Sequence, residues 1–221
     1  MGQMITFLRP DGGESHAYLA DAGAGRPGII LIQEWWGLND NMKAIADRLA
    51  EAGFTTLAPD LYRGRLASSA DEASHMMNGL DFPDATHQDI RGATTYLAAR
   101  CTKVAVMGFC MGGALTIASA VHVPGLAAAV CFYGIPPREF ADPADIHIPF
   151  LGHFASLDDW CTPAAVDDLE QRMANSGAMR TFCRYDGVHH AFFNQARPEV
   201  YDRTSAELAW ERTVSFLKDA L

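Results

Sequence analysis

The chain has 221 residues, 49% hydrophobic and 20% charged, and a formal net charge of −10 at pH 7. That length suits a single domain, 1–221, with a sizeable core, and the acidic balance disfavours nucleic acid and anionic membrane surfaces as partners. No apolar run reaches the roughly 18 residues of a membrane span. The start, MGQMITFLRPDGG, lacks a basic segment followed by an apolar core, so no signal peptide is expected. The five cysteines (Cys101, Cys110, Cys131, Cys161 and Cys183) are odd in number, widely spaced and free of any C-x-x-C pair. This argues against a disulfide framework or a zinc ribbon and for a reducing, cytoplasmic setting.

In chain order, Gly28–Ile32 (GIILI) is a short apolar run, as expected of a strand buried on both faces. A helix is predicted from Asn39 to Ala52, with Met42, Ile45, Ala46 and Leu49 at helical spacing and Gly53 as its stop. A strand follows at 54–57, then a long connection, 62–83, which is either a lid or a short bridging helix. Residues 86–100 carry Ile90, Ala93, Thr94 and Leu97 on one helical face. Strands are expected at 104–107, 127–132, 149–154 and 181–185. Helices are expected at 111–121, from Thr162–Pro163 to Gly177, and at 204–220 with Leu208, Val214 and Leu217 inward. Alternating strands and helices predict an α/β fold with a mainly parallel sheet covered on both faces. Sites in such folds form beyond the carboxyl ends of the strands, so the chemistry is to be sought there.

After strand 104–107 comes GFCMGG, residues 108–113. G-x-C-x-G between a strand and a helix is the setting of a nucleophile elbow, where a sharp turn requires small neighbours on either side of the central residue. Cys110 would stand at a helix N-terminus, whose partial charge favours thiolate, and should be the most reactive of the five thiols. The N–H of Met111 would face an oxyanion. Asp158 and Asp159 follow strand 149–154, and His189 and His190 follow strand 181–185. The order Cys, Asp, His is that of α/β-hydrolases. Strand 28–32 runs into Gln33-Glu34-Trp35-Trp36. The Trp35 N–H is the candidate second oxyanion donor, and burial under the tryptophans would push the Glu34 carboxyl up.

Together, QEWWGL, PDLY (59–62), GFCMGG and DGVHHAF resemble the dienelactone hydrolase family, also called carboxymethylenebutenolidases, over nearly the whole chain from AYLA (17–20) to the last helix. The resemblance implies an α/β-hydrolase fold that hydrolyses small esters or lactones through a Cys-His-Asp triad and a covalent acyl-enzyme, without a cofactor or metal. Its motif positions fall on Cys110, His190 and one aspartate of the 158–159 pair. The aromatic residue that members carry two positions after the catalytic acid matches Trp160 and selects Asp158. Glu34 falls where the family uses a glutamate in thiol activation. A substrate-binding arginine follows PDLY in the family, which makes Arg63 and Arg65 candidates. The family's second such arginine is replaced here by Asn194. Trp36 and Asn194 complete the candidate substrate contacts.

The expected partner is therefore a small-molecule ester or lactone, bound by a monomer or small homo-oligomer. The competing readings are a non-catalytic binder, or a thiol-redox or metal-binding module using His147, His153, His189, His190 and the cysteines. No pair of these has a zinc-site spacing, and a non-catalytic binder would be expected to lack part of the triad.

Overall fold

The computed structural model describes all residues, Met1–Leu221. Eight strands form one sheet in the order β1-β2-β4-β3-β5-β6-β7-β8. They are β1 (Gln3–Leu8), β2 (Glu14–Ala20), β3 (Gly28–Ile32), β4 (Thr55–Pro59), β5 (Val104–Phe109), β6 (Leu126–Phe132), β7 (Phe150–Leu157) and β8 (Arg180–His189). The first two make an antiparallel hairpin, β2 joins β4 antiparallel, and every other pairing is parallel. The expected α/β architecture holds. The hairpin is an addition to it. In β1 only Phe7 is buried and β2 mixes exposed with buried residues, so they lack the continuous apolar signal of the central strands.

The central strands show why that signal arises. Along β3, Ile29 and Leu31 face one core cluster while Ile30 and Ile32 face the other. All five residues of the strand are buried. Helices α1 (Asp40–Glu51) and α7 (Arg203–Ala220) contribute to the first cluster, and α4 (Arg91–Ala98), α5 (Met111–His122) and α6 (Pro163–Met173) to the second. Asn39 and Thr162 cap α1 and α6 with their side chains. Along α7 the inward residues are Ala206, Ala209, Thr213 and Leu217, and Leu208 is exposed. Of the expected inward residues, Leu217 is buried and Val214 packs half-buried against the core, whereas Leu208 faces outward and the small Ala206 and Ala209 take the inward positions of that part of the helix.

The connection 62–83 contains a helix, α2 (Ala70–Asn78), and leads into the one-turn α3 (Phe82–Asp84). The predicted single helix over 86–100 is divided into a π-helical stretch, Ala85–Ile90, and α4. Asp89, buried in that stretch, pairs with Arg63. No helix is long and apolar enough to cross a membrane. From β3 the chain passes to β4 on one side and then returns to β5 on the other. The loops leaving β3 and β5 therefore border the crevice where the strand order reverses, the place where open α/β sheets bind ligands.

Candidate active site

Cys110 joins β5 to α5 with φ 56° and ψ −117°, a conformation that costs on the order of 1–3 kcal/mol for a residue with a side chain. Its surroundings hold it there. A Cβ on Gly108 would overlap the Gly112 carbonyl, and one on Gly112 would lie 2.5 Å from the Ile32 oxygen. Gly134, just beyond β6, packs against the Cys110 carbonyl as closely, a requirement the local sequence did not reveal. The sulfur is buried, and the Met111 and Trp35 backbone N–H groups lie where they favour its anion.

The helix start does not make this thiol acidic. Burial pushes Cys110 well above the usual thiol range, the Glu34 charge pushes it further, and the two N–H groups offset only part of this. The resting group is the neutral thiol, contrary to the expectation drawn from the helix N-terminus. Cys101 is the one partly exposed cysteine, and the other four are buried.

Glu34 leaves the end of β3 and is itself buried. Its Oε2 accepts from Asn194 Nδ2 at 2.5 Å and its Oε1 from the Tyr133 hydroxyl at 3.4 Å. Burial raises its pKa, with His190, Asn194, Arg197 and Tyr133 opposing. The two tryptophans that follow meet edge to face at 5.4 Å, and both are half-buried along the cleft.

On the far side, His190 follows β8 and Asp158 follows β7. His190 Nδ1 lies 2.7 Å from Asp158 Oδ2. Asp158 Oδ1 accepts from the N–H groups of Trp160 and Cys161, each at 2.8 Å. Burial alone would raise the Asp158 carboxyl, but the His190 bond and charge and the two N–H groups hold it below its ordinary value. Asp159 points instead into the cleft. Trp160 and Tyr133 pack on the His190 ring, with centroids at 5.3 and 5.0 Å. The ring's other nitrogen, Nε2, is buried and has no hydrogen-bond partner. His189, one residue earlier, turns back to the Leu157 carbonyl at 3.2 Å.

These groups open on a cleft of about 590 Å³, lined by Glu34, Cys110 and His190 with Trp35, Trp36 and Trp160 as its aromatic walls. Met77 of α2 reaches it, so the 62–83 connection contributes one side chain to the wall.

Three expected substrate contacts lie elsewhere. Arg63 forms a two-pronged pair with buried Asp89, at 2.9 and 2.8 Å, and donates to Ser15. Arg65 borders a separate depression of about 200 Å³ with His75. The buried Asp89 carboxylate claims the Arg63 guanidinium, and after the turn at Gly64 (φ 86°) the chain packs back on the Trp36–Gly37 backbone, with the Ala67 N–H donating to the Trp36 carbonyl at 3.1 Å, while the Arg65 side chain stays outside the cleft lining. Asn194 is buried, and both ends of its amide are used: Nδ2 on Glu34, and Oδ1 on the Ala196 N–H at 2.9 Å. It anchors Glu34 instead of facing substrate. Conversely, Tyr133, Arg197 and Glu199 belong to the site and were not singled out. Tyr133 carries φ 38°, which nothing in the sequence announces, and Arg197 and Glu199 reach the cleft from beyond the DGVHHAF run. His153, a candidate ligand in the metal reading, is bonded at both nitrogens, to Tyr185 and Thr213.

The dienelactone hydrolase family model matches residues 16–221. Protein usf of Aquifex pyrophilus is 37% identical over 233 residues, with 100% of each chain covered. A protein of Aquifex aeolicus bearing the provisional name carboxymethylenebutenolidase is 32% identical over 231 residues, again with 100% of each chain covered. Among solved structures, a dienelactone hydrolase-like promiscuous phosphotriesterase from metagenomic libraries superposes with a TM-score of 0.85 at 24% identity, covering 99% of this chain and 98% of that one. With this fold and these relatives, the chain belongs to the dienelactone hydrolase family of ester and lactone hydrolases, on the α/β-hydrolase fold.

Proposed function

We propose that the chain hydrolyses small esters or lactones by thiol catalysis, with Cys110 as nucleophile, His190 as general base and acid, and Asp158 as the residue that orients the imidazole. The observation that carries this reading is the Asp158–His190 pair at 2.7 Å, whose unpartnered Nε2 borders the same cleft as the Cys110 elbow. The Asp158 bond fixes the tautomer with Nδ1 protonated, which leaves Nε2 free to accept a proton.

In the first half-reaction the thiol proton passes to Nε2 as Sγ bonds to the substrate carbonyl carbon. The carbonyl oxygen gathers negative charge beside the Met111 and Trp35 N–H groups, which already favour an anion at the sulfur. Collapse breaks the bond to the alkoxide, which leaves with the proton from His190. In the second half-reaction Nε2 takes a proton from water, the hydroxide adds to the thioester, and Sγ leaves and recovers its proton. A lactone follows the same steps, with the leaving alkoxide still tethered to the acyl chain until water releases it. Glu34 modulates the cycle through its charge, which adds to burial in holding the resting sulfur protonated.

Rapid quenching with 4-nitrophenyl acetate, followed by peptide mass mapping, tests this reading. An acetyl group on the Cys110 peptide and a loss of turnover in Cys110→Ala are expected. Turnover that survives Cys110→Ala would overturn the assignment.

A further inference from the structure

The cleft has a charge balance that bears on its substrate. Arg197 is the only arginine or lysine that lines it, and that guanidinium is already engaged. Its Nε donates to Glu199 Oε1 at 2.8 Å. The pair is local: one proline, Pro198, separates the two residues. The segment is braced by Asn194, whose carbonyl accepts from the Arg197 N–H, and by the Val200 and Tyr201 N–H groups, which return to the Arg197 carbonyl. The guanidinium lies 5.9 Å from the Trp36 ring centre, so the pair sits against an aromatic wall. Glu199 is held ionised by its own N–H and by Arg197.

Across the cleft, Asp159 is exposed, lines the cavity and forms no ion pair. With Arg197 neutralised by Glu199, the uncompensated charge at the rim is negative. Apart from Glu34, Cys110 and the two histidines, the remaining lining is apolar, chiefly Trp35, Trp36, Trp160, Met77, Leu157 and Val200. A substrate carboxylate would approach Asp159 and Glu199, and the single guanidinium there to receive it is already charge-balanced by Glu199 through its Nε edge. An uncharged acyl group would bury against three tryptophans and a methionine at no electrostatic cost.

We propose that this cleft selects uncharged, apolar esters and lactones, and that Glu199 determines this specificity by balancing the charge of the one guanidinium a substrate carboxylate would need. This rests on the thiol-hydrolase reading above and adds the substrate class to it.

The test uses a matched pair of esters, 4-nitrophenyl valerate and the anionic mono-4-nitrophenyl glutarate, with kcat/KM corrected for background hydrolysis. The parent should prefer the neutral ester by about 10-fold or more. Glu199→Gln keeps the side-chain shape and releases Arg197, and it should raise the anion-to-neutral ratio roughly 5- to 30-fold, the worth of a charge-assisted bond. Adding Arg197→Met to Glu199→Gln should cancel that gain. A second measurement needs no variant: in the parent, added salt should raise the anion-to-neutral ratio, because it screens the exposed rim charges. A parent that prefers the anion, or a ratio that ignores both Glu199→Gln and salt, overturns the proposal while leaving the thiol hydrolase intact. A parent that turns over neither ester defeats the thiol-hydrolase reading itself.

Discussion

Asn194 offers the sharpest test of how the site is held, because replacing it with leucine removes two defined bonds while keeping the same branched heavy-atom skeleton. The Nδ2 bond to Glu34 Oε2 and the Oδ1 bond from the Ala196 N–H are both lost. The second is a neutral bond worth about 0.5–1.5 kcal/mol at any pH. The first depends on the state of Glu34: about 0.5–1.5 kcal/mol while the carboxyl is protonated, and about 1.5–3 kcal/mol once it is ionised. Because burial raises the Glu34 pKa in the fold, its ionisation already weakens the fold as pH climbs from the unfolded-state value through the raised one. Asn194 lowers that pKa and so limits the loss. Asn194→Leu should therefore destabilise at every pH, and by an extra ~1–1.5 kcal/mol once Glu34 is ionised. At roughly 2–4 °C per kcal/mol for a chain of this size, the Tm gap between parent and variant should widen by about 2–6 °C. The assay is thermal unfolding of both proteins at intervals from pH 5 to pH 9, reading only the difference in Tm. A gap that stays flat, or that narrows as pH rises, would refute the role given to Asn194.

Two further outcomes follow from the same geometry. Asp158→Asn should lower kcat by about 10²-fold or more, because it disturbs the tautomer of His190, whereas Asp159→Asn, facing the cleft without a bond to the ring, should cost far less; steady-state kinetics on both folded variants decides, and the reverse ranking would sink the Asp158 assignment. Gly108→Ala drives a methyl group into the Gly112 carbonyl and should lower stability by at least the ~1–3 kcal/mol of ordinary overpacking, whereas at Gly79 the nearest atom would be the His75 oxygen at 3.4 Å and Gly79→Ala should leave Tm nearly unchanged. Equal Tm values for the two alanine variants would show that the elbow is not under the packing constraint described.

What the sequence made legible divides along physical lines. The parallel core strands were readable because burial on both faces writes a continuous apolar run, as in GIILI. The β1–β2 hairpin was not, since half its residues meet solvent and no apolar run marks it. Cys110 and its flanking glycines were legible because steric demands act on near neighbours in the chain. Tyr133 and Asn194 were not legible, because their meaning lies in a carboxylate 99 and 160 residues away. Arg63 misled for the same reason in reverse: its place after PDLY suggested substrate, but Asp89, on a stretch with no sequence signature of its own, takes its charge.

The state of Cys110 shows why a motif can be read correctly and its electrostatics still come out with the wrong sign. The elbow places the sulfur at a helix N-terminus, and such a position favours an anion by ~0.3–1 kcal/mol on a surface and up to ~2 kcal/mol when partly buried. Against this stands the desolvation of a buried anion, which costs several kcal/mol even after the protein relaxes. A carboxylate nearby adds to that cost. The larger opposing terms win, and the resting sulfur keeps its proton. The opposing carboxylate and part of the apolar wall come from another strand: Glu34 and Trp35 follow the end of β3, more than seventy residues before Cys110 in the chain. A motif on one strand carries the local term alone. Activation must then come from a change in those surroundings, and the cleft has the parts for one: a His190 Nε2 without a partner, and two N–H groups that can pass from the sulfur to a substrate oxygen. On the proposed mechanism, a carbonyl that enters the cleft and takes those N–H groups would free the sulfur to turn toward His190, so that the thiol would become nucleophilic only when there is something for it to attack.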